Sequence, residues 1–180
     1  PSPDLPIADP WFTAMEVLLL LLMPVIVLFL AAVHAYADLK VRPFALAALG
    51  FGIALTVVTS SLHFCILTLG RTPEFQALAT APLMLSFNWP SVVYALDILA
   101  WDVFFALMVL SLVPVFAGPR LNRAIRWTLG LSGLLALAGL GGVVTGDMLI
   151  RDIGIIGYVL IYPIAVGMIG LRFRQKSASS

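Results

Sequence analysis

Asp97 and Asp102 stand five residues apart in a run of otherwise apolar and aromatic side chains, and they are the residues best suited to chemistry in this chain. A carboxylate at the centre of a bilayer costs about 2.5–3.5 kcal/mol, so it needs a cation, a cavity or a proton. On an α-helix, five residues turn through roughly 500°, which leaves the two carboxylates about 140° apart on different faces. That spacing argues against a shared-proton dyad. Below Ser91, at about 1.5 Å per residue, Asp97 lies roughly 9 Å and Asp102 roughly 17 Å along the helix. Asp102 is therefore expected to be neutral or paired.

Other groups converge on the same level from separate runs. Thr56, Ser60 and His63 form a stripe that ends in one of only two histidines, with Thr59 beside it. Trp101 adjoins Asp102, and its indole N–H calls for an acceptor. Tyr94, Tyr158 and Tyr162 supply hydroxyls and rings. The expected site is a pocket lined by His63, Asp97, Asp102 and Trp101, with Tyr94, Tyr158 and Tyr162 as walls. Glu16 is read as facing the start of its own helix, and Arg151 as stapling a turn to Asp147 or Asp152. Thr56, Thr59 and Ser60 are read as bonding back to their own helix.

Five long apolar runs must position these groups, over 15–36, 44–69, 91–116, 127–150 and 153–173. Each is longer than the roughly 20 residues that a helix needs to cross about 30 Å of hydrocarbon. The runs are continuous and not alternating, which excludes a barrel. At 62% hydrophobic and 11% charged, with mean hydropathy +1.09, the chain lies far from a soluble domain. The fold class is all-α, a polytopic integral membrane protein built as a five-helix bundle over 1–176. The first run is not an ordinary cleaved signal, because its flank carries Asp4 and Asp9 where a signal would be basic.

Basic residues set the expected orientation. Lys40, Arg42, Arg120, Arg123, Arg126, Arg172, Arg174 and Lys176 fall on one side, and only Arg71 and Arg151 on the other. The positive-inside rule puts the N-terminus outside and the C-terminus in the cytoplasm of a bacterial-type inner membrane. Trp11 and Trp89 then mark the outer interface and Trp127 the inner one. The segment 71–90 reads as an outer interfacial loop. Thr72-Pro73-Glu74 starts a short helix over 73–80, and an apolar stretch follows that anchors in the interface or dips back over the bundle. A tight turn at Arg151-Asp152 joins the last two runs. Residues 177–180 are expected to form a disordered tail.

Ala138, Gly142 and Gly146 recur every four residues and suggest close helix packing against a neighbouring run, or a homodimer or partner-docking face. Pro24 and Pro163 predict kinks. A haem between His34 and His63 is excluded because their depths differ by roughly 20 Å. Motifs for covalent haem, zinc proteases, phosphate loops or serine hydrolases are missing, and no cofactor or metal is expected. A lone cysteine, Cys65, excludes an intrachain disulfide, and a net charge of +1 gives nucleic acid nothing to bind.

Three functions fit these residues. The first is a small multi-pass protein whose outward acidic and aromatic pocket binds a small cationic or amphipathic molecule or a proton. The second is a non-catalytic accessory or scaffold subunit of a larger membrane complex. The third is an intramembrane enzyme using His63 and an aspartate as acid and base, although no nucleophile is visible.

Overall fold

A computed structural model describes residues 7–118 and 120–177; Asp4 and the end of the tail lie outside them. Five helices are each long and apolar enough to cross a membrane: α1 Trp11–Tyr36, α2 Arg42–Arg71, α3 Val92–Val115, α4 Arg120–Thr145 and α5 Met148–Lys176. Between α2 and α3 lie two short helices, Pro73–Gln76 and Ala81–Leu85. Thr72 caps the first, its hydroxyl accepting from the Phe75 N–H. That helix ends well before residue 80, and the second begins where the sequence reading had a loop.

Successive helices pack side by side, with α3 in the middle against α2 and α4. Met23, Leu30 and Val33 of α1, Leu55 of α2, Phe105, Met108 and Leu112 of α3, Ile125 of α4 and Ile169 of α5 form a core with no exposure. Tyr36 lies on Phe116 and Phe173, their ring centroids at 6.2 and 4.8 Å, which draws α1, α3 and α5 together at the C-terminal end. Outside this core the surface stays apolar: Leu28, Val57, Leu134 and Val159 are each more than half exposed. Apolar surface on that scale suits hydrocarbon and not water.

Two helix boundaries differ from the sequence reading, for identifiable reasons. First, α4 begins at Arg120, seven residues before the apolar run. Its opening turns are amphipathic, with Asn122 and Ile125 buried and Arg120, Arg123 and Arg126 exposed. Second, α4 ends at Thr145, and Gly146 (φ 78°) takes the left-handed conformation that closes a helix. Asp147 then caps α5, its carboxylate accepting from the Leu149 N–H at 3.0 Å. The turn therefore falls at Gly146-Asp147, and Arg151 lies inside α5. The helical backbone of α5 also reaches Ser177, the first residue of the expected tail.

The small-residue seam runs through a different register from the one expected. Ala138 is exposed and Gly146 is a cap, while Ser132, Ala136, Gly139 and Gly142 are buried. Gly139 and Gly142 meet α5 at Gly154 and Arg151. A Cβ on Gly154 would sit 3.4 Å from the Gly139 Cα, so the two backbones touch.

Candidate functional site

Neither α3 nor α5 is a uniform α-helix at the level of the charged residues. In α3 the segment Leu99–Phe104 widens to a π turn, closed by a bond from the Phe105 N–H to the Ala100 carbonyl. In α5 the segment Ile156–Ile161 does the same, closed from the Tyr162 N–H to the Gly157 carbonyl. Pro163 follows at once and has no N–H to give, which favours a local departure from α geometry. Such turns recur at functional sites. The first holds Trp101 and Asp102, the second Tyr158.

The α3 turn has a direct consequence for the two aspartates. A wider turn accumulates less than 100° per residue, so Asp97 and Asp102 come closer in angle than the 140° expected of an α-helix. One guanidinium can then reach both. Arg151 Nε donates to Asp102 Oδ2 at 3.0 Å, and Arg151 Nη2 to Asp97 Oδ2 at 2.5 Å. Tyr94 completes the cradle, its ring centroid 4.7 Å from Arg151 Cζ. Arg151 is 4% exposed and Asp102 fully buried. Asp102 Oδ1, in contrast, has no partner among the described residues. It lies where a Cβ on Gly139 or Gly154 would stand, at 2.9 and 2.6 Å, so both glycines make room for this carboxylate.

A second buried pair lies on α1 and α2. His63 Nδ1 and Glu16 Oε2 share a hydrogen bond of 2.6 Å, with side-chain exposures of 4% and 0%. Among the described residues Glu16 Oε1 has no partner, and neither has the fully buried Thr59 Oγ1. Both His63 and Glu16 are within electrostatic reach of Asp97, so the two clusters form one charged layer. Phe87 from the loop before α3 covers His63, ring to ring at 5.7 Å.

Of the expected lining, Asp97, Asp102 and Tyr94 meet at Arg151. Trp101, Tyr158 and Tyr162 gather around Phe105: Trp101–Tyr158 at 5.0 Å, Phe105–Tyr158 at 5.8 Å and Phe105–Tyr162 at 5.0 Å. His63 belongs to the Glu16 pair. The Trp101 indole has no hydrogen-bond acceptor among the described residues.

Three sequence readings are corrected here. Arg151 does not staple Asp147 or Asp152, because its side chain turns inward to α3. Glu16 does not serve its own helix terminus, because an imidazole faces it across the α1–α2 contact. Thr56 does not bond back within α2; its hydroxyl donates to the Met23 carbonyl of α1 at 3.3 Å.

A cleft of about 990 Å³ lies at the same end of the bundle. Asp9, Phe12, Arg71, Gln76 and Trp89 are among its walls, and none of the seven expected lining residues is. Phe12, Ile66 and Leu85 belong both to this cleft and to the small apolar cluster that includes Phe87. The loop thus separates the cleft from the charged layer. No group of three or more histidine, cysteine or acidic side chains among the described residues could hold a metal ion.

The charge balance of the layer is uneven. Glu16, Asp97 and Asp102 face one permanent cation, Arg151, and one titratable base, His63. Neutralising it takes a proton on His63 and one further positive charge. Comparison with known protein families, curated sequences and solved structures finds no match.

Proposed function

We propose that this chain is a small multi-pass inner-membrane protein whose charged layer binds a proton or a small cationic molecule. The observation that carries the reading is the excess of buried carboxylates over buried cations. Buried charge is tolerated when it is balanced, so two carboxyl groups on one guanidinium, with a third on an imidazole, favour uptake of a positive charge. A proton is the one cation that needs no cavity of its own. A larger cationic or amphipathic ligand would enter from the 990 Å³ cleft beyond Phe87. The basic residues at the far end support an orientation with the N-terminus and cleft outside and the C-terminus in the cytoplasm.

Infrared titration of the purified protein tests the proton reading. At neutral pH a protonated carboxyl stretch is expected, diminished in Asp102→Asn. A spectrum with every carboxyl ionised, in a protein that also fails to bind a quaternary ammonium probe, sinks the proposal.

The pairing of Arg151 with two aspartates supports a second reading. Such a knot fixes the register of α3 against α5 and suits a non-catalytic accessory subunit. In that case neutral substitution of all three residues would leave folding and partner assembly intact. An enzyme using His63 with an aspartate has weaker support, since Glu16 occupies the imidazole.

A further inference from the structure

At the opposite end of the bundle a smaller groove of about 350 Å³ opens between α3 and α4, lined by Val113, Arg123, Arg126, Trp127 and Gly130. The four α4 residues share one helix face through their three-, four- and seven-residue spacings. That face is turned out of the bundle. Arg123, Arg126 and Trp127 are exposed, the indole to 75%, and a Cβ on Gly130 would meet nothing within 4 Å. On the facing helix, α3 tightens to a 3₁₀ turn over Val113–Val115. Neither arginine makes an ion pair with any described residue. Of the described acidic side chains, only Asp38 lies at this end of the bundle.

We propose that this groove is a binding site for an anionic phospholipid. The two guanidiniums would take the phosphodiester oxygens, since arginine presents planar paired donors to phosphate. Trp127 would sit at headgroup depth, where indole is favoured. The open notch above Gly130, beside Val113, would receive the first methylenes of an acyl chain. Charge complementarity selects the lipid class: two unpaired cations beside an apolar slot fit a negative headgroup on a hydrocarbon tail, and a zwitterionic headgroup would bring its own cation to the arginines. Basic pockets between helices near a membrane surface bind anionic headgroups on the same physics. The proposal rests on bilayer insertion, as the proposed function does, and the experiment separates the two.

The full chain is reconstituted into vesicles containing brominated phosphatidylglycerol or brominated phosphatidylcholine, and tryptophan fluorescence is compared with that of Trp127→Phe to isolate the Trp127 signal. Phosphatidylglycerol is expected to quench Trp127 at a lower mole fraction than phosphatidylcholine. In Arg123→Gln/Arg126→Gln the preference should fall on the order of fivefold per arginine removed. Both arginines are exposed, so the variant should keep its helical content and thermal transition. Equal quenching by the two lipids in the wild-type chain overturns the proposal and leaves insertion standing. No quenching by either removes insertion and the proposal together. A wild-type preference that survives the double substitution also overturns it, by moving the lipid site elsewhere.

Discussion

At the C-terminal end of the bundle the residues fully removed from solvent include Leu30, Val33, Ala45, Leu112 and Ile125; at the N-terminal end they include Glu16, Thr59 and Asp102. The helices differ in parallel. Around the apolar layer α1, α2 and α4 keep ordinary α geometry. In the charged layer α3 and α5 both open into π turns, and α5 starts on a 3₁₀ turn that ends at Arg151. Apolar side chains pack by volume and tolerate regular helices. Charged groups need directed partners, and here the backbone bends to supply them. Ser132 shows the same economy, its hydroxyl donating at 2.9 Å to the carbonyl of Gly157 inside the π turn of α5. The π turns thus coincide with buried charge, and that end of the molecule is where a positive ligand is proposed to bind.

The largest test of this contrast is removal of the one buried permanent cation. Arg151→Met leaves Asp97 and Asp102 facing each other in a dry interior. Breaking a buried pair from one side costs about 3–5 kcal/mol. Chemical unfolding in detergent should show a loss on that scale. Adding Asp97→Asn and Asp102→Asn should recover most of it, because amides carry no charge to strand. A matched change in the other layer, Leu30→Ala, should cost about 2–5 kcal/mol by leaving a cavity, and no charge substitution should rescue it. Rescue is therefore the discriminating readout, more than the size of either loss.

The glycine seam offers a second, smaller test. A Cβ on Gly154 would meet Asp102 Oδ1 at 2.6 Å, and one on Gly157 would meet the Ser132 carbonyl at 2.7 Å. Gly154→Ala and Gly157→Ala should each destabilise by about 1–3 kcal/mol through overpacking. Gly167 has nothing within 4 Å of its Cβ position, and Gly167→Ala should be neutral or slightly stabilising by helix propensity. Substitutions at Gly154 and Gly157 as harmless as the one at Gly167, read by thermal unfolding, would show that the α4–α5 contact is looser than the structure has it.

These tests bear on residues that the sequence exposes unequally. The five helices were legible because hydropathy alone sets them apart, and Asp97 and Asp102 because a carboxylate in such a run is an anomaly. Arg151 was not, since Asp147 and Asp152 offer nearer partners along the chain than aspartates 54 and 49 residues away. Choosing between them needs the turn position, which depends on Gly146 adopting a positive φ and not on its small size. The π turns leave no pattern in the sequence, yet they decide whether two carboxylates reach one cation. Glu16 and His63 each looked explicable alone; their pairing is a fact of α1–α2 register, fixed by apolar contacts such as Leu30 against Gly52.

The gentlest perturbation lies at the rim of the 990 Å³ cleft, where charge is exposed and not buried. Asp9 Oδ1 accepts from the Thr13 N–H at 3.1 Å and from the Thr13 hydroxyl at 2.5 Å, and Arg71 of α2 reaches Thr13 at 2.6 Å and Asp9 at 3.5 Å. The Thr13 hydroxyl bond, ahead of the Arg71 charge, holds the Asp9 carboxyl below its ordinary value of 3.8. A carboxylate with a depressed folded-state value stabilises its contacts fully above the unfolded value, and that contribution is lost as pH falls through the folded one. The tie between the start of α1 and the end of α2 should therefore be intact at pH 5 and above, then loosen as pH drops below 3.8. Amide exchange at Thr13, corrected for its intrinsic pH dependence, should accelerate in that window. In Asp9→Asn the acceleration should vanish, because an amide has no proton to gain there. The effect should be small, since water and salt screen both partners, and it should shrink further at high ionic strength. Buried pairs such as Glu16–His63 are screened far less, so the same added salt should leave a double-mutant coupling between those two residues nearly unchanged. Equal salt sensitivity at the two sites would mean that water reaches the charged layer as freely as it reaches the rim.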